Sequence, residues 1–488
     1  MKKEMTYQVL MSVITFLNGA CGLAQEAQDV KTKPSSTIGP AEHSLLTSKQ
    51  GKVSLETYQH ASSAITPPMG WNSSYNWGWN INEQQVKANA DYMHVHLKKY
   101  GWKYIVIDWS WYRTSDAADT FIDEYGRVLP VVDRYPSAEG GCASARVGFK
   151  PLADYIHEKG LKFGIHIMCA ISEKAVQQNT PILGTSYHAA DIANANAACN
   201  WGLGSWHGID MSKPGAQAYL DSLFQQYAAW GVDFVKIDNL GGKTTLVQAY
   251  RHAIDHCGRD MVFSISPNGT RTNDTVSQDC ATMWRIVGDV YDNWPQLNQA
   301  FDAFKEWAPY LDRSGHWPDL DMIPIGYLYQ HSNWCCSPSR NGPRWCALTQ
   351  DEQYSLMSLL LITRAPLMLG ANLPDSDPFT LSLITNAETL AVNQNSHGNR
   401  LVQHGDYPIW AADVPDSSDK YLAIFNRTSA CAQVLVNLNN FGMKKCAIRN
   451  LWTKADMGTC TDTFAPTINA HGAGLYKLNM LTQCDSKK

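Results

Sequence analysis

The chain has 488 residues, 44% hydrophobic and 17% charged, with Trp 17, Tyr 22, Phe 13 and a formal net charge of −5. That balance excludes a largely disordered chain and supplies apolar surface for one large domain and a smaller one. No run of Lys or Arg offers the clustered positive charge that nucleic acid or an anionic membrane requires, so neither is expected as a partner.

The first residues, MKKEMTYQVLMSVITFLNGACGLAQ, set lysines before an apolar run and then small residues. That order predicts a secretory signal peptide over 1–24 and a secreted protein, periplasmic or extracellular; lipoprotein anchoring through Cys21 is the lesser alternative. Residues 25–63 are polar and weakly patterned, as in a leader or linker. No later stretch reaches the roughly 20 apolar residues of a membrane-spanning helix. Thirteen cysteines in an exported chain predict disulfide bonds. Cys335 and Cys336 are adjacent, and Cys346 is their nearest candidate partner.

From residue 64 onward strand-like runs alternate with helix-like ones. PPMGWN, YIVID, KFGIHIM, DFVKID, MVFSIS, TMWRIVG, GHWPDLDM and PLMLG read as eight strands. Amphipathic stretches such as NEQQVKANADYMHVHLKKYG and KPGAQAYLDSLFQQYAAWG lie between them, each closed by a glycine. Near-continuous apolar strands alternating with helices predict a parallel sheet, and eight of them close as a (β/α)8 TIM barrel over 64–395. Short alternating strands then predict a C-terminal antiparallel β-sandwich domain over 396–488.

In such a barrel the active site lies at the C-terminal ends of the strands. The period of two in DFVKID places Lys236 and Asp238 toward the barrel mouth and Val235 and Ile237 toward the helices. The same period turns Asp108 inward at the end of YIVID. Arg285, Asp289 and Asp292 come from WRIVGDVYDNW, and Asp319 and Asp321 from PDLDM. So many acids on one rim require pairing, protonation or a metal. His94 and His96 fall two apart on a helix and face different ways, and His166 alone reads as a hydrogen-bonding wall residue. No metal-ligand set is found and no cofactor is expected. The remaining reading is paired carboxylates cleaving a glycosidic bond: Asp238, beside the Lys236 cation, as nucleophile and Asp289 as acid/base, with Asp292 its rival. A purely structural Lys–Asp pair is the competing account of Lys236 and Asp238.

TPPMGWNS, FVKIDN, WRIVGDVYDNW and GHWPDLDM, in that order, resemble glycoside hydrolase family 27, the α-galactosidase and α-N-acetylgalactosaminidase family, over nearly the whole chain from residue 64. The resemblance implies a retaining double displacement without a metal, with Asp238 as nucleophile and Asp289 as acid/base. It further implies that Lys236 hydrogen-bonds sugar hydroxyls, Arg285 reaches the 2-hydroxyl side, Asp108 binds the 4- or 6-hydroxyl, Trp71 forms part of the sugar platform and Met322 lines the floor. His166, Ser266 and Asp321 complete the expected lining.

Two departures bear on the sugar. Galactose-specific members have two adjacent acids at the end of strand two, whereas Asp108 is followed here by Trp109. The loop after strand five reads SISPNGT, with Ser266 and Pro267 where many galactose enzymes carry C-x-W. The expected substrate is an oligosaccharide or polysaccharide with a terminal α-linked sugar, galactose first. N-acetylgalactosamine, β-L-arabinopyranose or an isomalto-dextranase-like activity are the alternatives, and a non-catalytic carbohydrate-binding protein is a further one.

Overall fold

A computed structural model describes residues 64–114, 119–140, 147–199, 206–266, 272–330 and 342–481. The predicted signal peptide and leader, most of the SISPNGT loop and Cys335–Cys336 lie outside them.

The strands β1 (Met69–Asn72), β2 (Tyr104–Ile107), β3 (Lys162–Met168), β4 (Phe234–Asp238), β5 (Val262–Ile265) and β6 (Met283–Arg285) pair in sequence order, all parallel. The seventh strand, β7, comes in two pieces: Trp317–Asp319 pairs with β6, and Met322–Ile323 pairs with β8 (Leu367–Leu369). β8 pairs back onto β1, so eight strands close the ring through the broken seventh. The break falls at Asp321, whose φ of 81° lies in the left-handed region, uncommon for any residue but glycine.

Alternation along the strands sorts two layers. Tyr104, Val106, Phe234, Val262, Met283, Trp317 and Met368 fill the barrel interior. Ile105, Ile107, Val235, Ile237 and Ile265 belong to the larger cluster shared with the helices. At Gly70 a Cβ would lie 2.6 Å from Tyr104 Cβ, so only glycine lets β1 approach β2 in the crowded interior.

The helices follow the expected pattern at their ends. Ala216–Trp230 closes at Gly231 with φ 86°, the left-handed cap that glycine adopts without cost. Glu83–Tyr92 starts in an Asn82–Gln85 capping box. It runs into one π turn at Met93–Leu97, and His94 and His96 stand exposed on that turn.

Six antiparallel strands form the C-terminal sheet, among them Lys420–Phe425, Lys445–Asn450, Ala455–Thr461 and Ala473–Met480. Ile409, Leu422, Ile424, Val436, Phe464 and Leu478 form its own core. Helix Gln350–Ile362, preceding β8, packs on this sheet within the compact unit Thr57–Lys488. Among the described residues, Cys169, Cys257, Cys280, Cys346, Cys431, Cys446 and Cys460 are not joined by a disulfide in the structure. Among the described residues no helix is long and apolar enough to cross a membrane.

Candidate active site

The strand ends carry a connected chain of buried charges. Lys236 Nζ donates to Asp108 Oδ2 at 3.0 Å and lies 3.9 Å from Asp321 Oδ1. Asn72, the last residue of β1, donates to the same Asp108 oxygen at 2.7 Å. Burial opposes the charge on Asp108, but Lys236, His166 and the Asn72 hydrogen bond outweigh it and hold the carboxyl well below the usual range. Burial likewise disfavours the Lys236 cation, and Asp108 and Asp321 reverse that, raising it.

Asp238 closes β4. Its Oδ2 lies 2.9 Å from His166 Nε2, and its Oδ1 accepts the Asn239 backbone N–H at 2.8 Å. Both oxygens are thereby held, which fixes the carboxylate at the end of a rigid strand. Arg285, ending β6, donates through Nη1 to Ser266 Oγ at 3.1 Å and through Nη2 to Asp289 Oδ1 at 2.8 Å, and lies 3.5 Å from Asp321 Oδ2.

The two rival acids of the β6 loop differ in environment. The Asp289 side chain is 44% exposed, whereas that of Asp292 is 1% exposed. Asp292 accepts from both Arg344 Nη atoms, from Tyr329 OH at 3.0 Å and from the Ala347 N–H at 2.7 Å. A carboxylate so fully engaged and buried has no free face for a substrate, which leaves Asp289 as the carboxylate able to meet one.

The crowding of acids is thus relieved by pairing and by protonation. Asp108 pairs with Lys236, and Asp289 and Asp321 meet Arg285. Asp319, fully enclosed, is pushed up to about 7 by burial and then by the Asp321 charge. Asp321 is raised by burial, with Arg285 and Lys236 pulling the other way. Asn72, Lys236, Asp319, Asp321 and Met322 line a common cavity. Among the described residues no group of three or more His, Cys, Asp and Glu side chains is arranged to hold a metal ion.

One expected site residue is not at the mouth. Trp71 is fully buried in the cluster between sheet and helices, its Nε1 donates to Ala371 O at 2.7 Å, and it packs edge-on against Trp77 at 5.8 Å. The reason is strand phase: Gly70 and Asn72 point into the barrel, so Trp71 points out. The residues that β1 and its exit deliver instead are Asn72 and Tyr75, whose hydroxyl lies 3.2 Å from Asp321 Oδ2. The period-two pattern already contained Asn72. Trp109 is buried and stacks on Trp79 at 6.3 Å. Met322 packs beside Tyr75 and Tyr291.

Comparison with known proteins agrees with this architecture. Residues 207–395 match the family model described as alpha galactosidase A, and residues 404–478 that of the alpha galactosidase C-terminal beta sandwich domain. The chain is 27% identical to alpha-galactosidase 2 of Arabidopsis thaliana, over 85% of this chain and 90% of that protein. It is 42% identical to a crystal structure of a family 27 β-L-arabinopyranosidase from Geobacillus stearothermophilus, covering 88% of this chain and 99% of that one with a TM-score of 0.83. A variant of that enzyme in complex with arabinose gives 41% identity and a TM-score of 0.82 over 87% of this chain and 100% of that one. A parallel barrel with carboxylates at its strand ends, so matched, is a glycoside hydrolase. At this identity and coverage the chain belongs to glycoside hydrolase family 27.

Proposed function

We propose that the protein is a retaining exo-glycosidase that removes a terminal β-L-arabinopyranosyl unit, and α-D-galactosyl units more slowly. The two sugars share the ring arrangement at C1 to C4 and differ by the exocyclic hydroxymethyl group of galactose.

In the first step the Asp238 carboxylate attacks the anomeric carbon as the bond to the aglycone oxygen breaks, and Asp289 gives its proton to that oxygen. In the second, Asp289 takes a proton from water, the water oxygen bonds to the anomeric carbon, and Asp238 is released. Asp108 and Lys236, side by side, suit the axial 4-hydroxyl and its neighbour, and Arg285 suits the 2-hydroxyl side.

The observation that carries the choice of sugar is the single carboxylate at the end of β2. Trp109 follows Asp108, so the acceptor that a second acid would offer to the 6-hydroxyl is absent there. A hydroxyl taken from water without a partner weakens binding. The likeness to an enzyme named β-L-arabinopyranosidase supports the same reading. Galactose as the preferred sugar is the second reading, favoured by curated relatives named alpha-galactosidase. The signal peptide expected over residues 1–24 supports export.

The test is kcat/KM on matched p-nitrophenyl β-L-arabinopyranoside and α-D-galactopyranoside. The arabinopyranoside should lead by about tenfold or more, the range one unsatisfied or misfitting group supplies. A leading galactoside establishes the second reading. NMR of the first-formed sugar should show the anomer of the substrate, and inversion would exclude the double displacement.

A further inference from the structure

We propose that Tyr75 is a positioning residue for Asp289: its hydroxyl anchors the backbone beside that carboxylate. The inference rests on the acid/base reading of Asp289 given above.

Tyr75 lies on the short helix Ser74–Trp77 that follows β1. Its OH donates to the carbonyl oxygen of Val290, the residue after Asp289, at 2.5 Å, and lies 3.2 Å from Asp321 Oδ2. A phenol has one hydrogen, and the shorter contact takes it. Burial first, then the charges of Asp321 and Asp289, push the phenol well above its ordinary value, so it remains a donor across the working pH range.

The ring itself is held from several sides. It packs 5.6 Å from the Tyr291 ring and beside Met322, Leu328, Tyr329 and Ala371. Its backbone carbonyl accepts from Tyr329 N at 3.2 Å. A Cβ on Gly370, at the end of β8, would lie 2.7 Å from the Tyr75 ring. The hydroxyl is therefore presented by a rigid wall built from β1, β7 and β8, whereas Asp289 sits on an exposed stretch of loop. Arg285 Nη2 grips the Asp289 carboxylate itself at 2.8 Å and Tyr291 OH adds a long 3.4 Å contact to its Oδ2, and the Tyr75–Val290 bond adds a hold on the backbone next to it. Protonating a leaving oxygen tolerates little displacement, since a shift of about 1 Å costs about a hundredfold in rate.

The experiment compares Tyr75→Phe with wild type on two glycosides of the sugar the wild type cleaves fastest, one with a 2,4-dinitrophenyl leaving group and one with methanol. The first departs without help from an acid; the second needs Asp289. Tyr75→Phe should lower kcat/KM at least tenfold for the methyl glycoside and less than threefold for the dinitrophenyl glycoside. The ratio between substrates does not depend on the fraction of enzyme folded. Tyr75→Met, which fills the apolar site without a hydroxyl, should give the same ratio. Equal losses on both substrates would overturn the proposal. Asp289→Ala is run alongside: if that variant also loses both substrates equally, the acid/base reading of Asp289 is what fails.

Discussion

Lys236 Nζ and Asp108 Oδ2 meet at 3.0 Å with both side chains less than a tenth exposed, tying β4 to the end of β2 beneath the barrel mouth. Removing the Asp108 charge leaves the buried Lys236 with only the more distant Asp321 carboxylate, at 3.9 Å. Asp108→Asn should cost about 3–5 kcal/mol of stability, the usual penalty for breaking a buried pair, read from urea unfolding. The pH dependence has a definite sign. The folded Asp108 carboxyl lies below its unfolded value, so its contribution is full above about pH 4 and is lost as the pH falls further. The gap between wild type and variant should therefore shrink in acid; a gap that widens would contradict the pairing.

Asp289 and Asp292 stand three residues apart and should fail differently. Asp289→Asn should lower turnover of an unactivated glycoside by about 10²–10⁴-fold, the range of a lost acid/base, with a smaller loss of melting temperature than Asp292→Asn, because the Asp289 side chain is 44% exposed. Asp292→Asn should lower the melting temperature, because Arg344 loses the carboxylate it grips. A stable but inactive Asp292→Asn would exchange the two roles.

Asp319 provides a test in the opposite pH direction. Its folded carboxyl, pushed up to about 7, binds a proton that the unfolded chain has released by then. Stability from this group therefore falls as pH rises from about 4 toward 7. Asp321, Arg285 and Lys236 are the charged groups that act on it. Asp319→Asn removes the penalty, so from pH 4 to pH 8 the variant should gain at least about 1.4 kcal/mol on wild type, one pKa unit's worth. Urea midpoints at the two pH values decide it, and a flat difference would refute it.

Cys446 and Cys460 are register partners on neighbouring antiparallel strands, a placement whose Cα spacing of about 4.5–5.5 Å falls within the range a disulfide spans. In an oxidising compartment they should pair. The two thiols lose two protons and two electrons to a disulfide oxidant such as oxidised glutathione, which becomes two thiols. Peptide mapping after glutathione treatment should find the cross-linked pair, and the closed loop should add about 3 kcal/mol. Two alkylatable thiols after oxidation would exclude it.

Much of the site was legible because alternation is a local property. The period of two in DFVKID placed Lys236 and Asp238 inward and Val235 and Ile237 outward; in the structure Lys236 lines the barrel cavity, Asp238 meets His166, and Val235 and Ile237 pack with the helices. The same rule applied to PPMGWN would have turned Trp71 outward and Asn72 inward. The family resemblance implied a sugar platform at Trp71, and strand phase turns that ring away from the mouth. The part Tyr75 plays is not visible in sequence, because its partners Val290 and Asp321 lie more than two hundred residues away.

The sequence by itself determined the alternating strands and helices, the barrel followed by an antiparallel domain, and the acids that reach the rim, since each follows from a short repeating pattern of apolar and polar residues. Only the tertiary structure decided which acids are engaged and which are open. Asp292 is closed off by Arg344, whereas Asp289 stays at the solvent edge. The broken seventh strand belongs to the same class, because ring closure sets it: one half must pair with β6 and the other with β8, and a left-handed Asp321 between them makes that possible.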